Sequence, residues 1–153
     1  MSKRKYLLRA ALNDGSSLRE HVKDGMSAFA RVDLGLVAES ERSRIGDSLN
    51  LDTATRAEFP EANRWDYILS LPEVPEIVGI EPHSAKDSEI TVVIAKKKHA
   101  IEYLRNHLRG GYRIARWFWV SPGTVGFSRM DRARRRLDQN GIQFVGRMLR
   151  TLG

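Results

Sequence analysis

Apolar residues along the chain switch between a spacing of three or four and strict alternation, and the switches lay out an order of elements. From Ser16 onward, Leu18, Val22, Met26, Phe29, Val32 and Leu36 keep the longer spacing. This predicts an amphipathic helix capped by Ser16 or Ser17 and weakened by Gly25 and Gly35. Ile45 to Asp52 alternates in its second half, with Leu49 and Leu51 on one side and Ser48, Asn50 and Asp52 on the other, and reads as a first strand. A polar connection containing Pro60 leads to the stretch from Arg64 to Leu71. There Trp65, Tyr67, Leu69 and Leu71 share one face and Asp66 points to the other. Pro72 and Pro75 break that strand, because proline offers no N–H to a ladder. Ile77 to His83 then forms a third strand, expected to run antiparallel to the second.

Beyond a polar corner the longer spacing returns. Ile90, Val93, Ile94, Ile101, Leu104 and Leu108 mark one helical stripe, with Asp87 or Ser88 as its cap and Gly110 as its stop. The β-branched run from Ile90 to Ile94 also suits a strand, but the stripe's continuation to Leu108 favours a helix. Arg113 to Val120 is a strand candidate, and Ser121-Pro122-Gly123 is its turn. Ser128 to Asp131 resembles a capping box opening a helix from Asp131 to Gln139, which Asn140-Gly141 ends before a short strand from Ile142 to Val145. The order is helix, three strands, helix, strand, helix, strand, that of a mixed α/β fold with a central sheet flanked by helices. No repeat or flexible linker divides the chain, so one domain is expected, with a basic N-terminal arm over 1–15, a core over 16–145 and a C-terminal tail over 146–153.

Composition narrows the function. With 153 residues, 41% hydrophobic and 29% charged, the chain can bury a core and is no disordered polymer. It has no cysteine, which excludes disulfides, thiolate metal sites and cysteine nucleophiles. Neither a membrane-length apolar run nor a cleavable leader is visible, so a cytoplasmic protein without membrane contact is expected.

The net charge of +7 is unevenly placed: residues 105–153 hold 11 basic side chains, all arginine, against 2 acidic ones. Guanidinium groups fork onto phosphates, so Arg105, Arg109, Arg113, Arg132, Arg134, Arg135 and Arg136 are candidate contacts to nucleic acid, DNA or RNA. An acidic protein partner or a merely solvated basic face are the alternatives. The last helix keeps only Ala133 and Leu137 for packing and should be largely exposed. Trp117 and Trp119 share a strand face, where they either fill the core, the commoner use, or stack on bases. His21, His99 and His107 have no metal-ligand spacing beyond the eight residues between the last two.

Hydrolysis of a phosphodiester without cysteine or a nucleophilic triad usually needs a divalent cation held by carboxylates at one end of a sheet. Asp66 and Glu81 stand on consecutive strands, and in an antiparallel hairpin whose paired numbers add to 147 they lie directly opposite each other. A slip of one residue would separate them. Glu81 and His83 project from the same face, and an imidazole there could ligate the metal, orient water or take its proton. The bland alternative is an ordinary strand-end ion pair. Asp52, Glu20 and Glu39 are further possible acidic partners.

With an Asp opening the second strand and Glu-x-His closing the third, this order of elements resembles the restriction-endonuclease-like PD-(D/E)XK phosphodiesterase superfamily, roughly from Ser16 to Val145. The resemblance implies Asp66 and Glu81 as ligands of Mg²⁺ or Mn²⁺, and a lysine two residues after the Glu that positions or activates water. Here Trp65 stands where the motif has proline, Pro82 is the middle residue and His83 replaces the lysine. In some members of that superfamily the lysine stands on the following helix. Lys96, seven residues after Glu89, could then take the role, with Lys97 as its neighbour; otherwise the run Lys96-Lys97-Lys98 is a solvated helix face.

Overall fold

The computed structural model describes residues 6–153, and its strands and helices follow one another as α1 (Leu8–Ala11), β1 (Lys23–Asp24), β2 (Asp47–Asn50), α2 (Leu51–Thr55), β3 (Tyr67–Leu71), β4 (Glu76–Pro82), β5 (Ala85–Lys86), α3 (Ile90–Arg105), β6 (Ile114–Val120), β7 (Val125–Gly126), α4 (Met130–Gln139) and β8 (Ile142–Phe144). Six strands make one mixed sheet in the order β1-β2-β3-β4-β6-β8, and β5 with β7 make a separate parallel pair. From β1 to β4 the neighbours are antiparallel, while β4–β6 and β6–β8 are parallel. Parallel neighbours need a crossover, and α3 and α4 supply the two.

Alternation along the strands sends side chains into two cores. Ile68, Ile77, Trp117, Trp119 and Ile142 face α1, α3 and α4, packing with Leu8, Val93, Leu104 and Leu137. On the opposite face Leu69, Val78, Ile80, Phe118 and Val120 pack against Phe29, Leu36, Leu149 and Leu152. Gly79 has a packing reason to be glycine: a Cβ there would come within 2.9 Å of the Trp117 and Trp65 rings. Those rings meet edge to face above it, with centroids 4.9 Å apart.

Several expectations are corrected. The helix expected from Ser16 to Leu36 is instead two 3₁₀ segments, Ser17–His21 and Arg31–Leu36, with β1 and a turn between them. Leu18 belongs to one core and Leu36 to the other, so the apolar spacing serves a segment that wraps the sheet edge, with Gly25 at φ 51° making the turn. Leu51 opens α2 rather than continuing the first strand. Trp65 precedes β3 and joins the α3-side core, not the face of Tyr67 and Leu69. Of the anticipated caps, Ser16 does cap its segment, its Oγ accepting from the Leu18 N–H, but α3 and α4 both begin without a side-chain cap, and the Asp87 carboxylate accepts from the Ser128 N–H instead.

Of the expected basic arm, residues 1–5 lie outside the described residues, while Leu8, Ala11 and Leu12 are core residues. The tail is packed as well, through buried Leu149 and Leu152. Among the described residues no helix is long and apolar enough to cross a membrane.

Candidate active site

The hairpin of β3 and β4 has the register whose numbers add to 147, with Tyr67 opposite Ile80. One step further, Asp66 faces Glu81, and its backbone N–H donates to Glu81 Oε1 at 3.0 Å. Asp66 is pinned from its other side too, because its carbonyl accepts the N–H groups of Leu51 and Asp52 at the start of α2 at 2.7 and 3.4 Å. The Glu81 side chain is fully buried, so its charge needs partners.

Those partners come from α3 and from the end of β4. Helical side chains lean toward the N-terminus, so Lys96 reaches back over the end of the sheet. Its Nζ donates to Glu81 Oε2 at 2.5 Å and lies 3.9 Å from Asp66 Oδ1. His83 Nδ1 is 3.3 Å from Glu81 Oε2, and its Nε2 is 2.9 Å from Glu89 Oε2. The ring is held in turn by its backbone, whose carbonyl accepts the Trp119 indole N–H at 2.9 Å. Asp66, Glu81, His83 and Lys96 therefore meet in one place, joined by Glu89.

Two carboxylates this close in a half-dry site resist ionising together. Burial, reinforced by the Glu81 charge and opposed by Lys96, pushes the Asp66 carboxyl up to about 7. The hydrogen bond to Glu81 raises the His83 imidazole against the effect of burial, and Glu89 adds to the rise. His83 in return lowers Glu89. Asp52 sits nearby without joining: burial raises its pKa, but Arg56 and Arg64, at 2.7 and 2.8 Å, outweigh that and hold it low.

The three lysines have separate fates. Lys96 is in the site, Lys97 donates to the Asn140 carbonyl at the end of α4, and Lys98 is exposed. The solvated-face reading therefore fits only Lys98. Among the described residues no group of three or more His, Asp and Glu side chains could hold a metal ion. The donors that are present are the two hard carboxylates of Asp66 and Glu81, and both Glu81 oxygens already accept hydrogen bonds, from the Asp66 N–H and from Lys96. Magnesium commonly takes one or two carboxylates and completes its shell with water and phosphate oxygens.

The arginines divide into two groups. Helix α4 lies along the start of α3, where Arg136 donates to Thr91 Oγ1 at 2.9 Å, and it exposes Arg132, Arg134, Arg135 and Arg136. Only Ala133 and Leu137 of α4 are buried, as expected of it. Arg105, Arg109 and Arg113 are at the far end of α3, away from Glu81, and Arg109 is paired with Asp14 at 2.5 Å. The two tryptophans are core residues, 5% and 0% exposed, so base stacking on them is excluded. His107 bonds Ser16 Oγ, His99 meets the Phe59 ring and His21 lies beside Glu20, all outside the site. Glu20 and Glu39 are exposed elsewhere.

Two residues near the site carry little signal in the sequence. Asp33 accepts from the Tyr67 hydroxyl at 2.5 Å and adds a small negative field at Asp66. Glu89 is paired to His83 across a corner, and its six-residue separation corresponds to no regular period. No protein family, curated protein or solved structure matches the chain. Its chemistry is therefore read from its own residues.

Proposed function

We propose that the chain is a metal-dependent phosphodiesterase-like protein acting on nucleic acid, with a restriction-endonuclease-like arrangement of its sheet. The observation that carries this reading is the Lys96 ammonium lying 2.5 Å from Glu81 and 3.9 Å from Asp66, at the end of a hairpin that leads into a parallel crossover. Asp66 and Glu81 are the residues that would hold Mg²⁺ or Mn²⁺. Such an ion would supply a Lewis acid for a phosphoryl oxygen and lower the pKa of water.

The chain's own groups divide the remaining work. Lys96 orients water beside the carboxylates and balances their charge. His83, tied between Glu81 and Glu89, is a positioning residue that fixes the Glu81 carboxylate. The arginines of α4 neutralise flanking phosphates and hold the strand in register, without choosing a sequence.

Labelled single- and double-stranded DNA and RNA, incubated with the protein in Mg²⁺ or Mn²⁺, test the reading. Cleavage by the wild type that both Asp66→Asn and Glu81→Gln abolish is expected, and equal cleavage by all three overturns it. The same ammonium favours a second reading, in which the carboxylate pair is permanently neutralised from within and the protein binds nucleic acid without cutting it. Calorimetric titration separates the two: retained nucleic-acid binding with no uptake of Mg²⁺ or Mn²⁺ selects the second.

A further inference from the structure

The far end of α3 borders a pocket separate from the carboxylates. Where the helix stops and the chain turns through Gly110 and Gly111 into β6, a pocket of about 420 Å³ opens, within the size range of binding sites for small ligands and peptide side chains. Its floor is aliphatic, made by Ile101, Leu104, Leu108 and Ile114. Ile101 continues the apolar stripe of α3 yet is 40% exposed.

Arg105, Arg109 and Arg113 line the same pocket, and among the described residues no acidic side chain does. Arg109 is engaged with Asp14 and with the Ala10 carbonyl. Arg105 and Arg113 are exposed and have no ion-pair partner among the described residues. Two free guanidinium groups beside an apolar hollow complement a ligand with carboxylates flanking a large apolar side chain. A nucleic-acid strand would satisfy the arginines but leave the aliphatic floor unfilled; Trp117 at its base is only 5% exposed, and the half-buried ring of Tyr112, which also lines the pocket, already meets Tyr6 edge to face at 6.5 Å.

We propose that this pocket docks an acidic peptide segment of a protein partner, its leucine or phenylalanine seated on Ile101 and Leu108 and its carboxylates on Arg105 and Arg113. The apolar anchor supplies affinity by leaving water, and the guanidinium forks supply orientation and select against basic partners. Nine residues of helix separate Lys96 from Arg105, about 14 Å of rise, so the pocket and the carboxylate site are distinct surfaces that can be altered independently. The proposal does not depend on nuclease activity.

The probe is a short fluorescein-labelled peptide in which Asp and Glu flank one Leu and one Phe, followed by polarisation and by ¹⁵N shift mapping on the intact chain. Saturable binding is expected, with shifts concentrated over residues 101–117. Arg105→Glu with Arg113→Glu should weaken it about tenfold or more, and Ile101→Ser about threefold. Asp66→Asn should leave it unchanged. Absence of saturable binding overturns the proposal. So does equal affinity for a control peptide with Ser in place of Leu and Phe, or for one with Asn and Gln in place of the acids. Displacement of the peptide from these residues by oligo-dT would assign the pocket to nucleic acid and overturn it equally. The ¹⁵N spectra of the variants confirm that they are folded, so a lost affinity reports on the pocket.

Discussion

At the N-terminal half of α3 a single lysine is drawn onto two carboxylates, whereas at the C-terminal end two arginines stand around an aliphatic hollow with no acidic partner among the described residues. Both ends put cations beside apolar surface. At the first end the partner is internal: the buried Glu81 makes Lys96 part of a closed network with Asp66, His83 and Glu89. At the second Arg105 and Arg113 have no ion-pair partner among the described residues, and their side chains are exposed. A cation's meaning is thus set by what the fold places opposite it. The arginines of α4 make a third case, an exposed basic face on a helix that touches the start of α3.

The contrast breaks most visibly at the carboxylates. In the presence of Mg²⁺, Asp66→Asn and Glu81→Gln should each lower cleavage by about a hundredfold or more, while Arg105→Glu with Arg113→Glu should leave the rate within about twofold. Single-turnover cleavage of a labelled duplex measures both. A fall caused by the arginine pair would merge the two regions into one surface.

Next in size is the closed network itself. Lys96→Met leaves a fully buried Glu81 without its ammonium and should cost about 3 kcal/mol in urea unfolding, because a buried carboxylate stripped of its partner is poorly tolerated. Adding Glu81→Gln to that variant should recover part of the loss. A cost below about 0.5 kcal/mol would mean the ion pair is solvated and the site open.

Binding to nucleic acid should then separate the two arginine groups. Replacing Arg132 and Arg135 by Glu is expected to weaken binding of a short duplex about tenfold and to flatten its dependence on salt, each lost phosphate contact taking about one unit from the logarithmic slope. The same change at Arg105 and Arg113 should leave both unaltered. Affinity measured across a salt series decides it.

The smallest effect is one of pH. An aspartate ordinarily near 3.8 that is pushed up to about 7 in the fold binds its proton more tightly folded than unfolded. Its favourable contribution is complete below the ordinary value and is lost as pH rises toward the folded value. Asp66→Asn should therefore match the wild type in stability near pH 4 and exceed it by about 1–2 kcal/mol at pH 8, a figure reduced for the side chain's partial exposure. Urea midpoints at the two pH values test the sign, and an equal difference at both would remove the charge conflict between Asp66 and Glu81.

Much of the site could be seen in the sequence because strands keep strict accounts of register. Proline at both ends of a short connection marked the turn between β3 and β4, and alternation then required Asp66 to meet Glu81 if the numbers added to 147, as they do. The stripe from Ile90 to Leu108 likewise implied a helix after β4; the helix ends earlier, at Arg105, and carries Lys96 back over the strand ends. The register could not say whether Lys96 or His83 would take the position beside both carboxylates. Lys96 reaches both, and His83 is occupied by Glu89.

Elsewhere the periodic signal misled. The spacing from Leu18 to Leu36 is helical, but Leu18 and Val22 pack in one core, Phe29 and Leu36 in the other on the opposite face of the sheet, and Val32 is 90% exposed. A local pattern is silent about which surface, if any, buries a residue. The capping box at Ser128 failed for a related reason, because its backbone N–H is taken by Asp87 from a distant turn.

The amino-acid sequence alone determined the mixed α/β class, the hairpin, the one register in which Asp66 would meet Glu81 and the exposed face of α4. Each depends on neighbours within a turn or a ladder, where spacing dictates geometry. Only the tertiary structure decided that Lys96 completes the carboxylate pair, that Trp117 and Trp119 are core, and that the arginines near Gly110 stand apart from those of α4. These are contacts between elements far apart in the chain, and their energies come from the surfaces brought together when the sheet and its crossovers close.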